Sequence, residues 1–203
     1  LLATMGQVGS VYGLAYDGAG DALYAAAFHR RQLLFGPGGP GAIYRMDLAT
    51  GDVRHWATVP DAGPDNHDHR VGYPDIGAER GAGKSSLGDL DLDPATRQLF
   101  VTNLATRRIV RLDLATGQVL GDFAHGAIGE TWAADARPFG LAVRDGRVYH
   151  GLVHSAESTA RRGDLAAHVY SSEPDGSDMR QATTFRLDYG RGYLDWKYLT
   201  DER

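Results

Sequence analysis

A near-verbatim internal repeat constrains this chain more than any other feature. Residues 43–53 read IYRMDLATGDV and residues 109–119 read IVRLDLATGQV, an offset of 109 − 43 = 66. A duplicated strand–turn–strand segment means that one β unit has been copied, so the architecture follows from the unit. Each copy sits in a larger pattern of short alternating strands. The first strand of each unit is Gly13–Asp17, Asp89–Asp93 or Gly140–Arg144, followed by a turn rich in Gly, Asp or Pro. A second strand opens with Leu23-Tyr24, Leu99-Phe100 or Val148-Tyr149, and a third holds Ile43, Ile109 or Val169. The ATG turns at 49–51 and 115–117 then lead to a fourth strand.

Four short antiparallel strands per unit, joined by tight turns, predict an all-β fold of the β-propeller kind. Three blades are expected, at about 12–59, 87–124 and 138–187, with a long rim insertion at 60–86 and part of another blade in residues 1–4. The whole of 1–203 reads as a single propeller segment. Three blades fall below the usual four to eight. The remaining blades are expected from further sequence or from another chain, and a segment of a six- or seven-bladed ring is the preferred reading. A helical turn or two is expected only within 157–167.

Composition narrows the partners. Twenty-seven glycines suit a turn-rich β protein. The formal charge of −5 comes from interleaved acids and bases with no basic block, which argues against nucleic acid. No apolar run is long enough to form a transmembrane helix. The chain has no cysteine, which removes disulfides and thiolate metal sites without fixing a compartment. It begins at Leu1 and reads as a piece of a longer polypeptide, so a targeting segment elsewhere stays open.

Several residues carry chemistry. Asp89, Asp91 and Asp93 alternate on one strand and therefore share a face, where three carboxylates repel unless cations meet them. Asp89 and Asp91 replace small residues of the other units near the ring axis, and oxygen donors there suit Ca²⁺. The alternative, which is preferred, has Asp93 capping a turn while Asp89 and Asp91 pair with Lys84 or an arginine, or face water. His67, Asp68 and His69, in the loop that starts at Asp65, form a second candidate metal set of imidazoles around a carboxylate. Two histidines leave a third ligand unassigned, so composition alone explains them equally well. Glu130, Trp132, Asp135 and Arg137 enter the third blade and are expected to line a mouth of the channel, where ligands dock; an Arg–carboxylate pair there is also a common structural device. His150, His154 and His168 read as packed strand residues. Gly81–Ser85 ends like a phosphate loop, but Ala78 stands where glycine is needed and a strand follows, which excludes nucleotide binding. No nucleophile elbow is present, and no catalytic residue is assigned.

The segments PFGLAVRDGRVYHG (138–151) and LGDLDLDPATRQLFVTNLATRRIVRLDLATG (87–117) resemble blades of NHL and SMP-30 type propellers. The wider run, with FGPGGPGAIYRMDL (35–48), VGYPDIGAERGAGKSSLGDLDLD (71–93) and RPFGLAV (137–143), resembles bacterial cell-surface propeller proteins of the kind often joined to SdrD B-like domains. That resemblance implies an extracytoplasmic location, a binding or scaffolding role at the rim loops toward a protein or polymer partner, and no established catalysis. Two rival readings follow. One is a divalent-metal-dependent hydrolase of the SMP-30 or lactonase type, with Asp89, Asp91 and Asn103 as ligands. The other is an accessory subunit of a larger assembly.

Overall fold

The repeated DLATG segment builds the same turn twice. In the first copy the Asp47 carboxylate accepts the N–H groups of Ala49 and Thr50, the Thr50 hydroxyl accepts the Asp52 N–H, and Gly51 takes a φ of 78°. In the second, Asp113 accepts the Thr116 N–H and Gly117 takes a φ of 74°. Aspartate and threonine thus satisfy the turn backbone locally, and glycine supplies the left-handed step.

The computed structural model describes residues 1–68 and 74–189. Among these, twelve strands form three four-stranded antiparallel sheets, each ordered as a simple meander. The first sheet is β1 (Val11–Asp17), β2 (Ala22–Ala27), β3 (Ala42–Asp47) and β4 (Val53–Thr58). The second is β5 (Leu87–Asp93), β6 (Gln98–Asn103), β7 (Arg108–Asp113) and β8 (Val119–Ala124). The third is β9 (Ala136–Arg144), β10 (Arg147–His154), β11 (Ala166–Ser172) and β12 (Arg180–Arg186). The innermost strands β1, β5 and β9 pack side by side, and the outermost strand β12 is exposed along its whole length. This is the arrangement of propeller blades.

The duplication extends beyond the repeated segment. A bulge lies between Val11 and Leu14 opposite β2, and the equivalent one lies between Leu87 and Leu90 opposite β6. The first two strands are thus offset by 87 − 11 = 76, against 66 for the third. The difference of ten is the extra length of the β2–β3 loop (28–41) over the β6–β7 loop (104–107). The GPGGPG stretch is therefore an insertion into that loop.

Meander topology sorts the connections by end. The turns 18–21, 48–52, 94–97, 114–118, 145–146 and 173–179 lie at one end of the sheets. The connections 28–41, 59–86, 104–107, 125–135 and 155–165 lie at the other. No turn at the first end exceeds seven residues, whereas four of the five at the second run from 11 to 28. Two short helices not anticipated from periodicity, α1 (Met5–Val8) and α2 (Ile76–Gly81), belong to the long-loop end, while the expected helical turn near 157–167 is a 3₁₀ turn at Arg162–Asp164. Among the described residues no helix is long and apolar enough to cross a membrane.

Candidate functional site

The β2–β3 loop and the β4–β5 connection are stitched together on the long-loop face. Phe28 bridges Ser86, and the His29 N–H donates to the Ser86 hydroxyl at 2.7 Å. The Arg31 guanidinium donates to the Pro74 carbonyl at 2.8 Å and pairs with Glu79 at 3.4 Å. Asp75, in the left-handed region at the start of α2, is the hub. Its carboxylate accepts the Gln32 N–H (2.8 Å), the Asp68 N–H (3.0 Å) and His67 Nδ1 (2.9 Å). Burial pushes this carboxyl up, but those three hydrogen bonds outweigh it and hold it well below the usual carboxylate range.

These ties bring His29, Asp65 and His67 together. Their ligating atoms lie within 4.8 Å of one another, and the two imidazole centroids are 4.6 Å apart with planes at 73°. His29 is fully buried. Its Nδ1 lies 2.6 Å from the Ser85 hydroxyl, which itself points at the Gly81 carbonyl. With the serine proton on the carbonyl, the serine oxygen accepts Nδ1–H and the His29 lone pair sits on Nε2. His29 Nε2 is buried and makes no hydrogen bond. Burial, reinforced by the neighbouring His67, holds the His29 pKa below its ordinary value, so the ring is neutral. In His67 the Asp75 carboxylate holds Nδ1–H, which again places the lone pair on Nε2. A side chain at Gly81 would approach the His29 ring to 2.6 Å, so the close packing of α2 on this imidazole requires glycine there. On that side of the ring a pocket of about 420 Å³ opens, bordered by Asn66, Arg80, Gly81, Lys84 and Ser85.

Of the candidate metal residues in this loop, His67 enters the cluster. Asp68 contributes its backbone N–H to Asp75 and is not among the three ligating groups, and His69 lies outside the described residues. His29 was missed. It lies 67 − 29 = 38 residues upstream in a different loop and has no histidine partner nearby in sequence.

Asp89 and Asp91 reach across to the third blade. The Leu141 N–H donates to Asp89 (3.2 Å) and the Val143 N–H to Asp91 (2.8 Å). Both donors belong to β9, the inner edge of the next blade, so the two carboxylates bond across the seam between blades. Burial holds the Asp89 carboxyl above its ordinary value, even against the N–H groups of Leu141 and Leu90. Neither residue pairs with Lys84 as expected: the Lys84 ammonium instead meets Glu157 at 2.7 Å. Asp93 caps its turn through the Ala95 N–H and the Thr96 hydroxyl. Asn103 accepts the N–H groups of Ala105 and Thr106 and donates to the Pro60 carbonyl.

Of the residues expected at a channel mouth, two clamp the 155–165 loop and a third packs on the strands beside it. Asp135 is buried and accepts both the N–H and the hydroxyl of Ser158. Arg137 binds Glu157, which also holds Lys84, so one carboxylate joins the 59–86 connection to blade three. Trp132 stacks on His154 and His168 at 4.9 and 4.5 Å. Glu130 is exposed.

No family model matches the sequence. Colossin-D of Dictyostelium discoideum is 31% identical over 202 residues, covering 94% of this chain and 21% of its own length. Colossin-A of the same organism is 28% identical over 199 residues, covering 92% of this chain and 2% of its own. The chain thus spans about a fifth or less of these relatives. Among solved structures, a chain in the crystal structure of a nidogen/laminin complex superposes with a TM-score of 0.51 at 17% identity, over 89% of this chain and 50% of that one. Regucalcin, a calcium-binding protein from Agrobacterium tumefaciens, gives a TM-score of 0.48 at 13% identity, over 91% and 46%. The likeness to the nidogen/laminin chain supports the propeller fold. These curated relatives come from Dictyostelium discoideum, which corrects the expectation of a bacterial group.

Proposed function

We propose that this chain is a non-catalytic propeller segment that presents its long-loop face to a protein or polymer partner outside the cytoplasm. The one-sided distribution of loop length carries this reading, because rigid blades with variable loops at one end form a binding platform. The same face exposes Leu34, Ile76 and Ile128 from three separate connections. In the turns at the opposite end no large apolar side chain is exposed among the described residues. Apolar residues grouped at one end suit docking better than solvent. The rest of the ring would come from further sequence or from another chain, and the native mass of the purified protein distinguishes these sources.

The hydrolase reading draws no support from Asp89, Asp91 and Asn103, since each is engaged in hydrogen bonds that hold blades and turns. Extracytoplasmic location rests on the resemblance to surface propellers. Photo-cross-linking residues introduced at Leu34 and Ile128, and separately at Thr50 and Asp145, test the docking face in the intact protein in its native setting. A single recurring adduct from the first pair and none from the second is expected. Equal labelling from both ends, or none from either, would overturn the reading.

A further inference from the structure

We propose that His29 Nε2, His67 Nε2 and the Asp65 carboxylate form a binding site for a divalent transition-metal ion of Zn²⁺ character, which ties the 59–86 connection to the β2–β3 loop. The argument starts with donor chemistry. Two imidazoles and one carboxylate match Zn²⁺, whereas Ca²⁺ takes six to eight oxygens and has little use for nitrogen. The second observation is the buried Nε2 of His29, which makes no hydrogen bond, on a ring that belongs to the cluster. Leaving a buried polar atom without a partner is costly, and a metal ion removes that cost.

The surroundings of the two rings fit the same purpose. A metal-bound histidine usually donates its other N–H to a carboxylate or similar oxygen, which fixes the tautomer and aims the lone pair. Asp75 does this for His67, and Ser85 does it for His29. Zinc–ligand bonds of about 2.0–2.2 Å place donor atoms roughly 3.3 Å apart. The observed spacing within 4.8 Å therefore closes by a small movement of Asp65, an exposed residue whose carboxylate already accepts the His67 N–H at 3.0 Å and so stays beside that ring. The pocket is bordered by Ser85 and Gly81, which adjoin the His29 ring at Nδ1, and the ring also packs against His67. A structural clamp follows: the ion would join two loops of the docking face.

The test uses the intact protein, stripped with a chelator and titrated with Co²⁺. One equivalent is expected to give the visible absorption of low-coordinate cobalt, and Zn²⁺ is expected to displace it. Asp65→Asn, at an exposed position that leaves the fold intact, is expected to weaken binding about tenfold or more, and His29→Gln to abolish it. Asp75→Asn is expected to cost 10- to 100-fold through loss of the outer hydrogen bond. Far-UV circular dichroism confirms that each variant is folded. The proposal is overturned if the wild-type protein takes up no stoichiometric Co²⁺ or Zn²⁺, or if folded Asp65→Asn and His29→Gln bind as tightly as wild type.

Discussion

The two seams between blades solve one packing problem with different chemistry. Between blades one and two, Gly13 lets β1 approach β5 so closely that a Cβ there would stand 2.6 Å from the Leu90 nitrogen. The core behind it is continuous and aliphatic apart from Tyr24, sixteen buried residues among those described, running from Ala15 and Ile43 to Leu90 and Leu112. Between blades two and three the corresponding cluster has five: Phe100, Ile109, Phe123, Leu141 and Val148. Polar groups fill the rest of that seam. Asp89 and Asp91 bond to β9, and buried His150 accepts the Gly126 N–H at 3.1 Å beside Tyr170. An edge strand needs its outward N–H groups satisfied, and carboxylates can do this as well as a strand can. The first seam is therefore held by volume and the second by directed bonds.

Breaking the first seam is expected to have the largest effect. Leu90→Ala removes a side chain that is 2% exposed, and loss of transfer energy plus the cavity costs about 2–5 kcal/mol. Gly13→Ala is expected to fall in the same range, because the obstacle is backbone that cannot rotate away. Leu141→Ala in the smaller cluster of the second seam should cost less. Urea midpoints of the three variants check the order, and equal costs at Leu90 and Leu141 would dissolve the contrast.

Acid is expected to act on the second seam next. Burial, with a smaller effect from His125, pulls the His150 pKa down to about 4 from the ordinary 6.5. Between those values the unfolded chain binds more protons than the folded one. The contribution of His150 is thus constant above about pH 6.5 and falls as pH drops toward 4, by roughly 3 kcal/mol in total. Hydrogen exchange at Val148 and at Leu99, followed from pH 7 to 5, separates the seams: Val148 should lose protection first. His150→Gln should remove most of that slope.

A smaller loss is expected at the carboxylate straps. Asp91→Ala leaves the Val143 N–H unpaired at a cost of about 1–3 kcal/mol. Asp89→Ala should cost less, since its hydrogen bond is longer at 3.2 Å and burial already opposes its charge. Matching denaturation midpoints for the two variants would argue against that ranking.

Much of this fold is legible in the sequence because it is local. The DLATG turn is satisfied within its own residues, and alternation in Gly13–Asp17 matches buried positions at 13, 15 and 17. The carboxylates of β5 mislead because their partners are backbone groups of another blade, which have no side-chain signature. The metal cluster is half legible. His67 stands out beside other ligand types, whereas His29 acquires meaning only when the Phe28–Ser86 bridge brings two distant loops together. Gly81, Ser85 and Ser86 were the available signal: a small-residue run that resembles a phosphate loop in composition serves to pack and orient an imidazole.

The smallest expected effect sharpens the account of the first seam. Arg97 from the β5–β6 turn grips Asp17 with two bonds of 2.6 and 2.7 Å, although Asp17 is 2% exposed and the arginine side chain is 44% exposed. The third blade has no counterpart, because its first turn is only the two residues Asp145 and Gly146. If volume holds this seam, the pair sets alignment more than stability, and solvent at the arginine screens most of the attraction. Arg97→Met is then expected to cost about 1 kcal/mol or less. The bond to Arg97 outweighs the opposing effect of burial and holds the Asp17 pKa below its ordinary value. Its contribution is accordingly complete at neutral pH and disappears as pH falls below the normal carboxylate range, a window lower than that of His150. Denaturation midpoints of wild type and Arg97→Met should therefore converge at low pH and differ modestly at pH 7. A loss at pH 7 comparable to that of Leu90→Ala would mean that directed bonds govern both seams.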